Sequence, residues 1–259
     1  MNATARTLLV FFLLLVAVVV ASFLYRGSRS ATENVAAEGP VAAAVDPETL
    51  HPELKQALDA MAENRDDDAI GHLRAVPADS PNYPTVLRHL AVLTARKGNF
   101  EEAIQSLLAL TERYADDPEI HASLGWVFYL ADRPRDAEFA ALRALELAPD
   151  HKATRYNIGL YRVAQGRSQL AISSYVRALR NDPNATQVTR HRDRLWALHD
   201  EHPELPAAHF ALAFFADAMQ DPRTEVDELE HYLERALPGP ERDAAVKKLE
   251  QVRERMRDS

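Results

Sequence analysis

The apolar positions of this chain follow two periods. The short one is helical: "DRPRDAEFAALRALELAPDH", Asp132 to His151, predicts an α-helix ended by Pro149. The long one is set by Ala69, Ala103, Ala137 and Ala171, which stand 34 residues apart. Twelve positions before them lie Ala57, Ala91, Gly125 and Gly159, all small, each preceded by Gln56, Leu90, Leu124 or Ile158. Seven positions after the alanines come Val76, Leu110, Ala144 and Ala178; twelve after come Pro81, Ala115, Pro149 and Pro183. Five registers held over four units exclude coincidence and predict stacked copies of one supersecondary unit.

That unit is a helical hairpin. A small residue on its first helix faces an alanine on its second, so the backbones can approach to the lower end of the roughly 8–10 Å packing range. Asn64-Arg65, Gly98-Asn99, Asp132-Arg133-Pro134 and Gly166-Arg167 break the units between their helices, and Pro149 and Pro183 stop two of the second helices. One hairpin cannot bury its apolar stripe, so neighbours must stack into a superhelix. Beyond Pro183 the period slips. "ATQVTRHRDRLWALHDEHPE", Ala185 to Glu204, inserts about 20 residues and predicts an extra helix with Val188, Leu195 and Leu198 on its apolar side. A degenerate hairpin follows, Pro206 to Met219 and Thr224 to Leu237, with Ala213 in the role of Gly159 and Glu225 where an alanine is expected. After Pro238-Gly239-Pro240, a last helix carries Ala245, Leu249, Val252 and Met256 on one side and charge elsewhere, as a solubilising cap should.

These registers resemble the tetratricopeptide repeat family. "HASLGWVFYLADRPRDAEFAALRALELAPD" (His121 to Asp150) and "RYNIGLYRVAQGRSQLAISSYVRALRNDP" (Arg155 to Pro183) carry its alternation of small, aromatic and proline positions. Leu87 to Asp117 is a third copy, and the unit from His51 to Pro84 follows through its register. The resemblance implies an all-α, right-handed superhelical solenoid of antiparallel helix hairpins. Four repeats would fill residues 50–185, and the inserted helix, degenerate repeat and capping helix residues 186–259. It implies a scaffold for protein partners and specifies no chemistry.

Ahead of the repeats, "TLLVFFLLLVAVVVASFLY", Thr7 to Tyr25, is free of charge. At about 1.5 Å per residue it reaches roughly 28 Å, close to a bilayer's hydrocarbon thickness. Residues 1–26 therefore read as an N-terminal transmembrane anchor, or as a signal peptide cleaved near Val19-Val20-Ala21. Arg6 lies on one side and Arg26 and Arg29 on the other, nearly a tie under the positive-inside rule. A short N-terminal tail before a large domain is the layout of a signal anchor, which favours an inner-membrane position with the repeats facing the periplasm. Residues 27–49, rich in Ala, Gly, Ser, Glu and Pro, read as a flexible linker.

Composition narrows the function. A formal charge of −9 argues against nucleic-acid binding through a basic surface. With no cysteine, disulfides, thiolate metal sites and thiol nucleophiles are excluded. Eight scattered glycines build no phosphate loop, and neither GxSxG nor HExxH occurs. "HDEH", His199 to His202, has ligand-type residues but reads as a polar helix end before Pro203. "RHRDR", Arg190 to Arg194, reads as a solvated helix face. No catalytic residue, cofactor, metal or small-molecule substrate is expected. The excess of Arg over Lys and the Ala-richness point to a bacterial source with a GC-rich genome.

The positions with most promise follow from the register. One residue after each small position stand Leu58, Val92, Trp126 and Leu160, and three further on Met61, Ala95, Tyr129 and Val163, sharing a helix face. Arg88 and Tyr156, four residues before Val92 and Leu160, fall on the same side. The resemblance places this face in the inner groove that receives a peptide, so Arg88, Val92, Trp126, Tyr129, Tyr156, Leu160 and Val163 are the expected partner-binding residues. The family's carboxylate clamp uses Lys and Asn on one first helix, Asn on the next and Lys and Arg on the third; this chain has Arg88 and Val92, then Ser123, then Ala153 and Asn157, of which only Arg88 is chemically close, so no clamp is expected. The sequence thus reads as a non-enzymatic, membrane-tethered scaffold serving assembly or secretion in a bacterial envelope. Two other readings stay open. One is a permanent structural subunit whose groove is filled by a partner or by the inserted helix; the other, remote, is an enzyme using His199, Glu201 or His202.

Overall fold

The computed structural model describes residues 50–181 and 185–258, which form twelve α-helices. The expected anchor and linker lie outside the described residues, among which no helix is long and apolar enough to cross a membrane. Four hairpins come first: α1 (Pro52–Ala62) with α2 (Asp66–Ala75), α3 (Tyr83–Arg96) with α4 (Phe100–Arg113), α5 (Pro118–Leu130) with α6 (Pro134–Leu147), and α7 (Lys152–Ala164) with α8 (Ser168–Asn181). The inserted helix is α9 (Ala185–Glu201), the degenerate hairpin is α10 (Pro206–Ala218) with α11 (Pro222–Arg235), and α12 (Pro240–Asp258) caps the end.

One turn is used five times. Asn64, Gly98, Asp132 and Gly166, spaced by the repeat length, all adopt the left-handed conformation, with φ of 57°, 86°, 55° and 72°. Gln220 does the same in the fifth hairpin, at φ 58°. Each turn closes with paired bonds back onto the first helix, such as Gly166 N to Val163 O at 2.8 Å and Arg167 N to Arg162 O at 2.9 Å. In the fifth these are Gln220 N to Asp217 O at 3.0 Å and Asp221 N to Ala216 O at 2.9 Å. The left-handed residue is what lets a helix end by satisfying its own last carbonyls. The fifth hairpin, whose sequence register is degenerate, is thereby a full structural unit.

The small positions act as expected, in two ways. A Cβ on Gly125 would lie 2.9 Å from Ala137 O and 3.3 Å from Ala141 N, so α5 and α6 touch backbone to backbone. A Cβ on Gly159 would lie 2.5 Å from Tyr175 Cε1, because α8 carries Tyr175 where α6 has Ala141. The Tyr175 ring fills the space and goes on to meet Phe215 of α10 edge-on at 4.8 Å between centroids. The largest buried cluster runs without a break from Ala91 to Phe215, with smaller clusters under the first hairpin and under the cap.

Glu225 explains its own irregularity. It stands at 1 % exposure where an alanine is expected, yet Lys248 and Arg255 of α12 reach it at 3.2 and 2.8 Å. Burial still pushes its carboxyl upward, with Lys248 opposing. The cap is therefore fastened by charge as well as by Ala245, Leu249 and Val252, which are buried; Met256, expected with them, is 38 % exposed.

Glycine substitutions separate backbone contact from helix propensity. Gly125→Ala should destabilise the fold by about 1–3 kcal/mol through overpacking. Gly71→Ala, in exposed α2 with nothing near its added methyl, should instead stabilise by about 0.5–1 kcal/mol. Urea unfolding of both variants beside the wild type checks the opposite signs.

Candidate partner-binding surface

The first helices α3, α5 and α7 bring the expected groove residues onto one face, but that face is not open. Arg88, Val92, Trp126, Tyr156, Leu160 and Val163 are all buried, and Tyr129 alone of the seven is partly exposed. The cover is α9. Its His191 ring stacks on Tyr156 at 4.7 Å between centroids, 19° from parallel. Its Arg194 guanidinium lies 4.7 Å from the centre of the Trp126 ring and donates from Nη1 to Asn157 Oδ1 at 3.0 Å. At Trp126 and Tyr156 the expected partner-binding face is thus occupied by the inserted helix. This is one form of the second arrangement read from the sequence.

The basic run is corrected for the same reason. His191 and Arg194 of "RHRDR" are buried at 1 % and 7 % exposure, whereas Arg192 stays outside, paired with Asp193 at 2.7 Å. Val188, His191, Leu195 and Leu198 follow one helical stripe. That spacing was the available signal, hidden by the charged letters around it. Near the end of α5, Tyr129 sits 5.4 Å from both the Trp126 and the Tyr161 rings. Burial raises the Tyr129 hydroxyl well above the ordinary phenol range, with Glu201 adding to the effect.

At the other end of the face, Arg88 donates from Nη1 to Ser123 Oγ at 3.2 Å, linking α3 to α5, and its Nη2 meets His89 Nε2 at 3.1 Å. Burial lowers the Arg88 pKa, and Glu119 and Asp117 oppose that. With Arg88 turned to Ser123 and Asn157 turned to Arg194, three of the five positions that would form a carboxylate clamp, Arg88, Ser123 and Asn157, are engaged within the chain. "HDEH" forms loose local contacts, His199 with Asp200 and His202 with Glu204, each at 3.4 Å.

Tetratricopeptide repeat models match residues 53–127 and 122–186, together more than half of the 259-residue chain. The chain belongs to the tetratricopeptide repeat family. Among solved structures, it is similar to the MamA protein, with 19 % identity, TM-score 0.41, and coverage of 74 % of this chain and 99 % of that one. A point mutant of MamA gives 17 % identity, TM-score 0.42, and coverage of 71 % and 95 %. A tetratricopeptide repeat protein from Parabacteroides merdae gives 13 % identity, TM-score 0.42, and coverage of 80 % and 87 %. No curated protein matches the chain.

Two buried imidazoles make this face sensitive to acid. Burial holds His89 and His191 far below the usual histidine range, with Arg88 beside the first and Arg194 and Arg190 beside the second adding to it. The unfolded chain protonates both as pH falls through about 6.5, while the fold keeps them neutral. Stability should therefore be complete above that pH and fall below it, by up to about 2.7 kcal/mol per pH unit from the two together. Denaturant titrations at about pH 7.5 and about pH 5.5 measure the loss, and His191→Gln should remove about half of this contribution.

Proposed function

We propose that the chain is a non-enzymatic, membrane-tethered scaffold that holds a protein segment on its repeat solenoid and serves assembly or secretion at a bacterial envelope. Tetratricopeptide repeat proteins are in general protein-interaction scaffolds, and the family match is the basis for the coarse reading. The observation that carries the finer one is α9, held on the inner face by aromatic and cation–π contacts at Tyr156 and Trp126. A face that accepts one helix through a stacked ring and a desolvated guanidinium is suited to accept another. A partner segment would compete with α9 at Trp126 and Tyr156, meet the partly exposed Tyr129 first, and reach Arg88, Val92, Leu160 and Val163 along the same face. The uncharged run at 7–25 and the linker at 27–49 support tethering at the inner membrane with the repeats in the periplasm.

A second reading is a permanent structural subunit whose inner face is closed for good by α9. The complete burial of Trp126, Tyr156, Leu160 and Val163 favours it.

A photo-crosslinking amino acid at Tyr129 of the full chain, in the native host, distinguishes the two. The scaffold reading expects one specific protein adduct. Crosslinks confined to α9 would overturn groove binding and leave the structural subunit. In the same cells the chain should sediment with membranes and resist carbonate extraction; release by carbonate would remove the anchor from the proposal.

A further inference from the structure

The hairpin α10–α11 gathers residues that the sequence scatters. His209 comes from α10, and Glu228 and His231 stand three positions apart on α11, so all three meet across the hairpin. Each offers a donor atom within 4.8 Å of the others. We propose that His209, Glu228 and His231 bind a divalent transition metal ion of the zinc type. This inference is independent of the groove and of its partner.

Three observations carry it. His209 and Glu228 are each 4 % exposed, so packing holds two of the donors in place. His209 Nδ1 and Glu228 Oε2 are 2.8 Å apart, so two donor atoms from different helices already converge. His209 Nε2 is buried and has no hydrogen-bond partner among the described residues. Buried polar atoms are ordinarily satisfied, so an orphaned ring nitrogen on a residue of this cluster points to a missing ligand. His231 is exposed and gives the ion a way in from solvent.

The donor set selects the cation. Two imidazoles and one carboxylate suit zinc, cobalt, nickel or copper, whereas calcium and magnesium prefer oxygen alone. A tetrahedral ion with bonds of about 2.0–2.2 Å needs its donors roughly 3.3–3.6 Å apart, within reach of small side-chain rotations. The fourth position falls to water or to a further imidazole. The ring of His199 on α9 lies 4.6 Å from that of His209, the neighbour best placed to supply one.

The test uses the full chain, purified in detergent without a histidine tag, stripped with chelator and titrated with cobalt(II) and then zinc(II). One cobalt per chain, with visible absorption of a low-coordinate ion and displacement by zinc, is the expected result. His231→Ala, at an exposed position, should weaken binding at least about 10–100-fold, as should Glu228→Gln. Absence of saturable one-to-one binding would overturn the site. So would binding that survives His231→Ala and disappears in a His199→Ala, His202→Ala double variant, since the ion would then sit on the "HDEH" run.

Discussion

The structure depends on how closely the two helices of each hairpin can approach. At Gly125 the limit is reached, with a carbonyl oxygen where a methyl group would need to be. At Gly159 the same absence of a side chain makes a socket, and Tyr175 enters it from α8. The outer side of that ring meets Phe214 and Phe215 of α10 and approaches His191 of α9. A position that elsewhere only closes a hairpin here also fastens the two elements that break the repeat. That is how the period can slip by a whole helix after Pro183 while the stack continues into the fifth hairpin.

A tethered helix in the groove changes the energetics of binding there. A segment held to the same chain acts at an effective concentration in the millimolar range when its connection is short. Any partner on this face contends with that concentration in addition to losing its own translational freedom. The contacts of α9 are also unusual in kind. The Arg194 guanidinium is 7 % exposed, lying on an indole and an amide oxygen, so removing it restores hydration to a charge.

Most of the architecture was legible in the sequence because repeats report local geometry. The 34-residue spacing located four hairpins and their turns, and the offset of Ala213 located the fifth. What the register could not reveal was where a helix outside the period would land, because that depends on contacts between residues far apart in the chain. Between Trp126 on α5 and Arg194 on α9 the chain runs through α6, α7 and α8. Glu225 looked like a defect until the cap's Lys248 and Arg255 were seen to reach it. His209, Glu228 and His231 lie on two helices and acquire meaning only once the turn at Gln220 folds one against the other.

A solenoid behaves mechanically as a spring, since each repeat contacts mainly its neighbours. Here α9 spans from Trp126 on α5 to Tyr156 on α7, tying two coils together across the inside. Bending that opens the middle of the superhelix must first break that strut, whereas the first hairpin is joined to the second by a shared core that includes Val86 and Leu93 of α3 and by Arg96 reaching Asp66 at 3.1 Å. Resistance to opening is therefore concentrated at the third and fourth coils, where α9 bridges Trp126 and Tyr156.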